Sequence, residues 1–375
     1  TEHAKIDRDL QYIIGQVADY NWATAKTVYD DGQNSVKDAS SNPVTYRTIA
    51  GFSGASKMAN ERYFSTANAY WASKDVSTLS NYDYADVIVR AALDQTALGS
   101  NPDFTFVGKS NEYLRDVVKK SILYQNIFMY IIWEMQDAID DCQNGTPDDN
   151  YNSVHAWDEA VAFYTGYNEG TAEGGDNLLE SPADDDDGCL LFNLAEKRCK
   201  NFGTCTADYD LNPEAGYSSV NSRMFAKFTT AKNELISAHS ADSTFSCSDA
   251  YTAKDEIASL MLVPLIQGTL RYLYKTDSAI NPTTSGTTFK KENGELFAFS
   301  AAIQPFVSNC STLAGKALYD RSFNEDMTHN FASHKASLES VYKCLGITCA
   351  DVGALCDPGA EGTGCVPYKD SPTSY

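Results

Sequence analysis

The chain has 375 residues, 43% of them hydrophobic and 12% aromatic with only 11 prolines. That composition excludes a disordered, collagen-like or low-complexity protein and allows a large buried core, as two or three domains or one fused double bundle. A formal net charge of −22, from 51 acidic and 29 basic residues, repels phosphate backbones and anionic membrane surfaces and attracts cations, although it also serves plain solubility outside a cell.

In chain order, apolar residues recur at helical spacing over Leu10 to Tyr29, Ala55 to Ala72, Tyr84 to Ala97 and Tyr113 to Ile139. The same period returns over His155 to Tyr167, Val220 to Ala238, Ala250 to Lys275 and Gly294 to Val307, while strand-like alternation is scarce. Turn-rich pieces at 144–150, 173–188 and 281–288 separate these segments. The expected fold is all-α, with long up-and-down helices. A short internal match, in which Glu159, Ala162 and Phe163 align with Glu295, Ala298 and Phe299, suggests two pseudo-repeated bundles over 1–150 and 151–343. From Cys344 onward four cysteines and many glycines mark a small disulfide-rich tail, 344–375.

The ten cysteines form no CxxC pair and no zinc-finger spacing, and their even number suits disulfides. With sequons at Asn144 and Asn309, which permit glycosylation, they point to a secretory, extracytoplasmic route. The chain starts at Thr1 without a basic-then-apolar leader, so a removed signal peptide is expected. The apolar stretches around Ile122 to Trp133 and Leu260 to Leu270 read as too short and interrupted to span a bilayer, so any membrane anchor is expected outside this sequence.

Four phrases carry a family resemblance: HAWDEAVAFYTGYNEG at 155–170, LFNLAEKRCKNFGTC at 191–205, LIQGTLRYLYK at 265–275 and GELFAFSAAIQPFV at 294–307. In order and spacing they resemble the algal iron-assimilating family, also described as high-CO2-inducible periplasmic proteins, together with the related diatom phytotransferrins. The resemblance implies an iron-regulated surface or periplasmic protein that binds ferric iron, in phytotransferrins with carbonate and followed by internalisation, hence a surface receptor or endocytic partner. Tyr167-Asn168 before Glu169 and the acidic run Asp184 to Asp187 depart from the family wording.

Ferric iron is a hard cation that favours carboxylate and phenolate oxygen, with imidazole acceptable. His155, Asp158 and Glu159 stand at i, i+3 and i+4, with Tyr164 and Glu169 beyond, although acidic residues at a helix start also serve simply to oppose the helix dipole. If the repeat is real, Glu295 is the counterpart of Glu159 and both carboxylates face a shared interior. Gln267, Arg271 and Tyr274 form a polar stripe with Tyr272 beside it. The metal candidates are therefore His155, Asp158, Glu159, Tyr272, Tyr274 and Glu295, with Arg271 as a bidentate anchor for carbonate.

The acidic run lacks the spacing of an EF-hand loop, and Lys197 and Arg198 beside Cys199 read first as a disulfide-loop signature. GxSxG, P-loop, strand-borne GxGxxG and HExxH motifs are absent, so a non-enzymatic, iron-acquiring protein is expected. The rivals are a wall or periplasmic interaction protein without a specific metal site, and a di-iron ferroxidase. The second would require E-x-x-H sets that the sequence lacks.

Overall fold

The computed structural model describes residues 2–54, 61–99, 104–144, 152–166, 188–206, 218–238, 247–281, 286–323 and 330–356. Within them the protein is all-α, apart from a short antiparallel hairpin of β1 (Val36–Asp38) and β2 (Thr45–Tyr46). The helices are α1 (Ile6–Ala18), α2 (Trp22–Asp31), α3 (Arg62–Ala72), α4 (Tyr84–Asp94), α5 (Asn111–Ser121), α6 (Phe128–Asn144) and α7 (Asn152–Thr165). They continue with α8 (Leu191–Phe202), α9 (Ser219–Ala238), α10 (Ser248–Lys275), α11 (Gly286–Cys310), α12 (Thr312–Phe323), α13 (Phe331–Glu339) and α14 (Cys349–Val352).

The first periodic stretch is two helices, because Tyr20 takes a left-handed conformation (φ 62°) that ends α1 and reorients the chain before α2. The segment expected from Tyr113 to Ile139 is one rod, in which α5 and α6 are joined by a π-helical turn at Ile122–Ile127. Residues 55–60 of the second expected helix lie outside the described residues. Helices α8, α12 and α13 are additions to the sequence reading.

The centre of the molecule is built on α10 and α11. Helix α11 packs on α5, α10 and α12, α6 packs on α7 and α10, and α7 and α8 pack on α9. One continuous apolar core runs through all of these, from Ile6 to Leu355. Two glycines let these central helices approach closely: a Cβ at Gly268 would lie 2.1 Å from the Phe299 ring, and one at Gly294 would lie 2.5 Å from the Tyr113 carbonyl oxygen. The second contact lets α11 lie against the α5 backbone and so brings Glu295 beside Lys120 of α5.

Helix α10 is long and apolar enough by composition to cross a membrane, contrary to the expectation that its apolar stretch is too short. Its most apolar window is 94% buried within the protein, which is how the core helix of a folded domain reads. Disulfides join Cys142 to Cys247, Cys199 to Cys205 and Cys310 to Cys344. The described part of the cysteine-rich tail is sewn to the body. The Val352 carbonyl accepts from buried Gln267, and the Ala354 and Cys356 amides donate to the Phe202 and Asn201 carbonyls.

Candidate functional site

The sequence candidates divide between two clefts that share no lining residue. His155 and Glu159 line the first, Tyr272 and Glu295 the second, and Asp158, Tyr274 and Arg271 line neither. Helix geometry explains the division. At 100° per residue Asp158 lies about 100° around α7 from Glu159, and it pairs there with Lys232 of α9 at 2.8 Å. Tyr274 lies on the face of α10 opposite Tyr272, with its ring edge-on to Phe331 at 5.5 Å between centroids. Tyr164 is buried and donates a hydrogen bond to Asn221, and Glu169 lies outside the described residues.

The first cleft, of about 460 Å³, lies between the α6–α7 pair and the hairpin. Its acidic wall is Glu134, Asp137 and Asp141 of α6, spaced i, i+3 and i+7, with Tyr130 one turn earlier on the same face. Helix α7 contributes His155 and Glu159 one turn apart, and the hairpin side supplies Lys37, Tyr46 and Arg47. Four carboxylates therefore face two cations.

The floor is aromatic. Tyr130 stacks on Phe52 at 4.0 Å and on Trp133 at 5.1 Å, and meets Phe163 edge-on at 5.1 Å. Burial, and then the neighbouring Glu134 carboxylate, push the Tyr130 phenol far above its ordinary range. Glu159 adds to the effect and Arg47 opposes it, so these four groups share one electrostatic neighbourhood. Glu159 is held by the His3 imidazole at 3.1 Å, and Arg47 donates to the Val36 carbonyl. Among the described residues no three His, Cys, Asp or Glu side chains already converge at metal-binding geometry.

The second cleft, of about 670 Å³, opens between α1, α5, α8, α10 and α11. It has the opposite character: Lys119, Lys120, Lys197 and Arg198 line it against one carboxylate, Glu295, with Tyr124 and Tyr272 between. Lys120 is buried and lies 2.8 Å from Glu295 and 3.1 Å from Asp116. Burial disfavours the Lys120 charge, but the two carboxylates outweigh it and hold its pKa well above the usual value. Burial raises Glu295 above the ordinary carboxylate range despite Lys120. At Asp116 the pull of Lys120 and Arg115 overcomes burial and leaves the group below that range.

Two signals in the sequence could have found what the reading missed. The spacing of Tyr130, Glu134, Asp137 and Asp141 puts them on one face of α6, and Lys119-Lys120 is a charged pair just before the apolar run that starts at Ile122. Nothing local in the sequence points to Lys37, Tyr46 and Arg47, which reach the first cleft through hairpin pairing.

The class of protein that these features define is a disulfide-bonded helical protein with an acidic and a basic cleft. The chain belongs to the low iron-inducible periplasmic protein family, whose family model matches residues 1–358, so the kinship reaches well beyond the four phrases that first suggested it. No curated protein and no solved structure is significantly similar to it.

Proposed function

We propose that the protein binds ferric iron outside the cell for iron acquisition, and that the acidic cleft between α6, α7 and the hairpin receives the ion. The single observation that carries this reading is the charge of that cleft, four carboxylates with an imidazole and two phenols around two cations, in a chain of a family induced by low iron. Hard anionic oxygen is what Fe(III) prefers. The donors are Glu134, Glu159, His155 and Tyr130, with Asp137 and Asp141 at the rim.

Glu159 exchanges its His3 contact for the ion, and Tyr130 gives up the proton it shares with Glu134. The Arg47 fork, on the opposite wall, suits a carbonate that fills the remaining positions, taking the part the sequence assigned to Arg271. In this reading the protein is a carrier and not an enzyme. Falling pH protonates imidazole, carboxylate and carbonate and releases the ion. The exposed Asn144 and Asn309 are its glycan acceptors.

Isothermal titration of a ferric chelate into the intact protein at neutral pH with bicarbonate tests the reading, followed by visible absorbance. The expected result is one ion per chain and a tyrosinate-to-iron band that disappears in Tyr130→Phe. Absence of stoichiometric binding overturns the function, and a band that survives in Tyr130→Phe overturns the site.

A further inference from the structure

The basic cleft is not used by the iron reading, and its charge runs against the whole molecule. Four cations line it in a chain with 29 basic and 51 acidic residues. Packing forces this concentration. Gly294 presses α11 onto α5, the π-helical turn at Ile122–Ile127 carries Tyr124 to the wall directly after Lys119 and Lys120, and α8 brings Lys197 and Arg198 opposite. Single π-helical turns are uncommon and recur at functional sites.

The cations are unequal in what they have to bind. Lys120 is satisfied by Asp116 and Glu295. Half-buried Lys119 has no ion-pair partner among the described residues, and burial together with repulsion from Lys120 lowers its pKa. The Nε and Nη1 atoms of Arg198 are buried without a hydrogen-bond partner. Leaving charged donors desolvated and unpaired is costly, and an anion arriving between them removes that cost. Burial holds Tyr124 and Tyr272 protonated far above neutral pH, with Glu295 adding to the effect, so both phenols remain donors. Asn193 and Gln11 add amide groups to the rim.

The cavity is too large for a single oxyanion, and its unpaired donors stand on different helices, α5 and α8. We infer that this second cleft is a binding site for a compact organic polyanion with two or more carboxylate or phosphate groups, bridged between Lys119 and Arg198 with the two phenols donating to its oxygens. The ligand is recognised by spaced anionic oxygens and not by charge alone. The site is independent of the acidic cleft, so it stands whether or not iron binds there.

The test titrates citrate, and separately inorganic phosphate and pyrophosphate, into the intact protein at neutral pH without iron. The expected result is one citrate or one pyrophosphate per chain, with inorganic phosphate about tenfold weaker or worse, since it has a single anionic group to share between cations on two helices. Whichever of citrate and pyrophosphate binds more tightly distinguishes a carboxylate from a phosphate ligand. Lys119→Gln weakens binding about tenfold, and the double variant Lys119→Gln with Arg198→Gln about a hundredfold, at unchanged far-ultraviolet circular dichroism. Should the double variant fail to fold, the half-buried Lys119→Gln alone decides. Glu159→Gln leaves citrate affinity unchanged, which separates this site from the iron reading. No heat with either polyanion at millimolar concentration, affinity unaltered in Lys119→Gln, or inorganic phosphate binding as tightly as the polyanions each overturns the inference.

Discussion

The two clefts are made by the same kind of helix packing yet carry opposite charge, and the difference lies in what stands behind each wall. In the first, carboxylates spaced along one face of α6 and α7 meet a hairpin that brings only two cations, so acidic side chains outnumber basic ones in the lining. In the second, Lys120 is neutralised from behind by Asp116 and from across by Glu295, and the excess passes to Lys119 and Arg198, which have no such backing. A net charge of −22 therefore says little about any one site, because packing decides which charges gather in which cleft.

The comparison breaks most severely if the clefts are not parts of one cooperative body. The Cys142–Cys247 disulfide ties α6, which walls the acidic cleft, to α10, which walls the basic one, and closes a loop of 105 residues. Replacing both cysteines by serine is expected to cost about 4 kcal/mol of stability, in a single unfolding transition followed by circular dichroism. Two separate transitions would show that the clefts belong to independently folding halves.

Next in size is the network behind the basic cleft. Lys120→Met leaves buried Glu295 without its cation and Asp116 with Arg115 alone, and is expected to destabilise the protein by about 3 kcal/mol at neutral pH. Asp116 has a depressed pKa, so the stability it contributes is present above its ordinary value of 3.8 and is lost as pH falls through its folded value. Glu295 is raised above 4.5, so it becomes neutral first on acidification. Without Lys120 both buried carboxylates take up protons more readily than in the parent protein, so the cost of Lys120→Met shrinks as pH falls, which chemical denaturation at several pH values would follow.

Within the acidic cleft, Glu159→Gln is expected to weaken ferric binding about a hundredfold while leaving citrate binding alone. The smallest effect belongs to Asp158→Asn. Its partner Lys232 is about as exposed as Asp158 itself, so stability should move by no more than about 0.5 kcal/mol and iron affinity not at all. A marked loss of iron affinity there would restore Asp158 to the ligand set.

Fold class was legible because helical periodicity is a local property: α6, α9 and α10 fall where the apolar spacing predicts them, and α11 covers the predicted Gly294 to Val307 but already starts at Gly286, inside the stretch read as a turn. Single residues interrupted the reading, as Tyr20 does between α1 and α2. The site was legible only in pieces. The residue types at 155, 159, 272 and 295 stand out along the chain, but whether Glu159 and Glu295 share a pocket depends on which helix faces meet, and that is fixed by contacts distant in sequence. Gly294 against Tyr113 and Arg47 on its hairpin are examples; neither is readable from a pattern along one segment.

The most direct test of the account is an anomalous-scattering map from a crystal soaked with ferric iron and bicarbonate. The account predicts one strong peak among Tyr130, Glu134, His155 and Glu159, with an anion against Arg47. A peak beside Glu295 and Tyr272 instead, or no peak in either cleft, would contradict it.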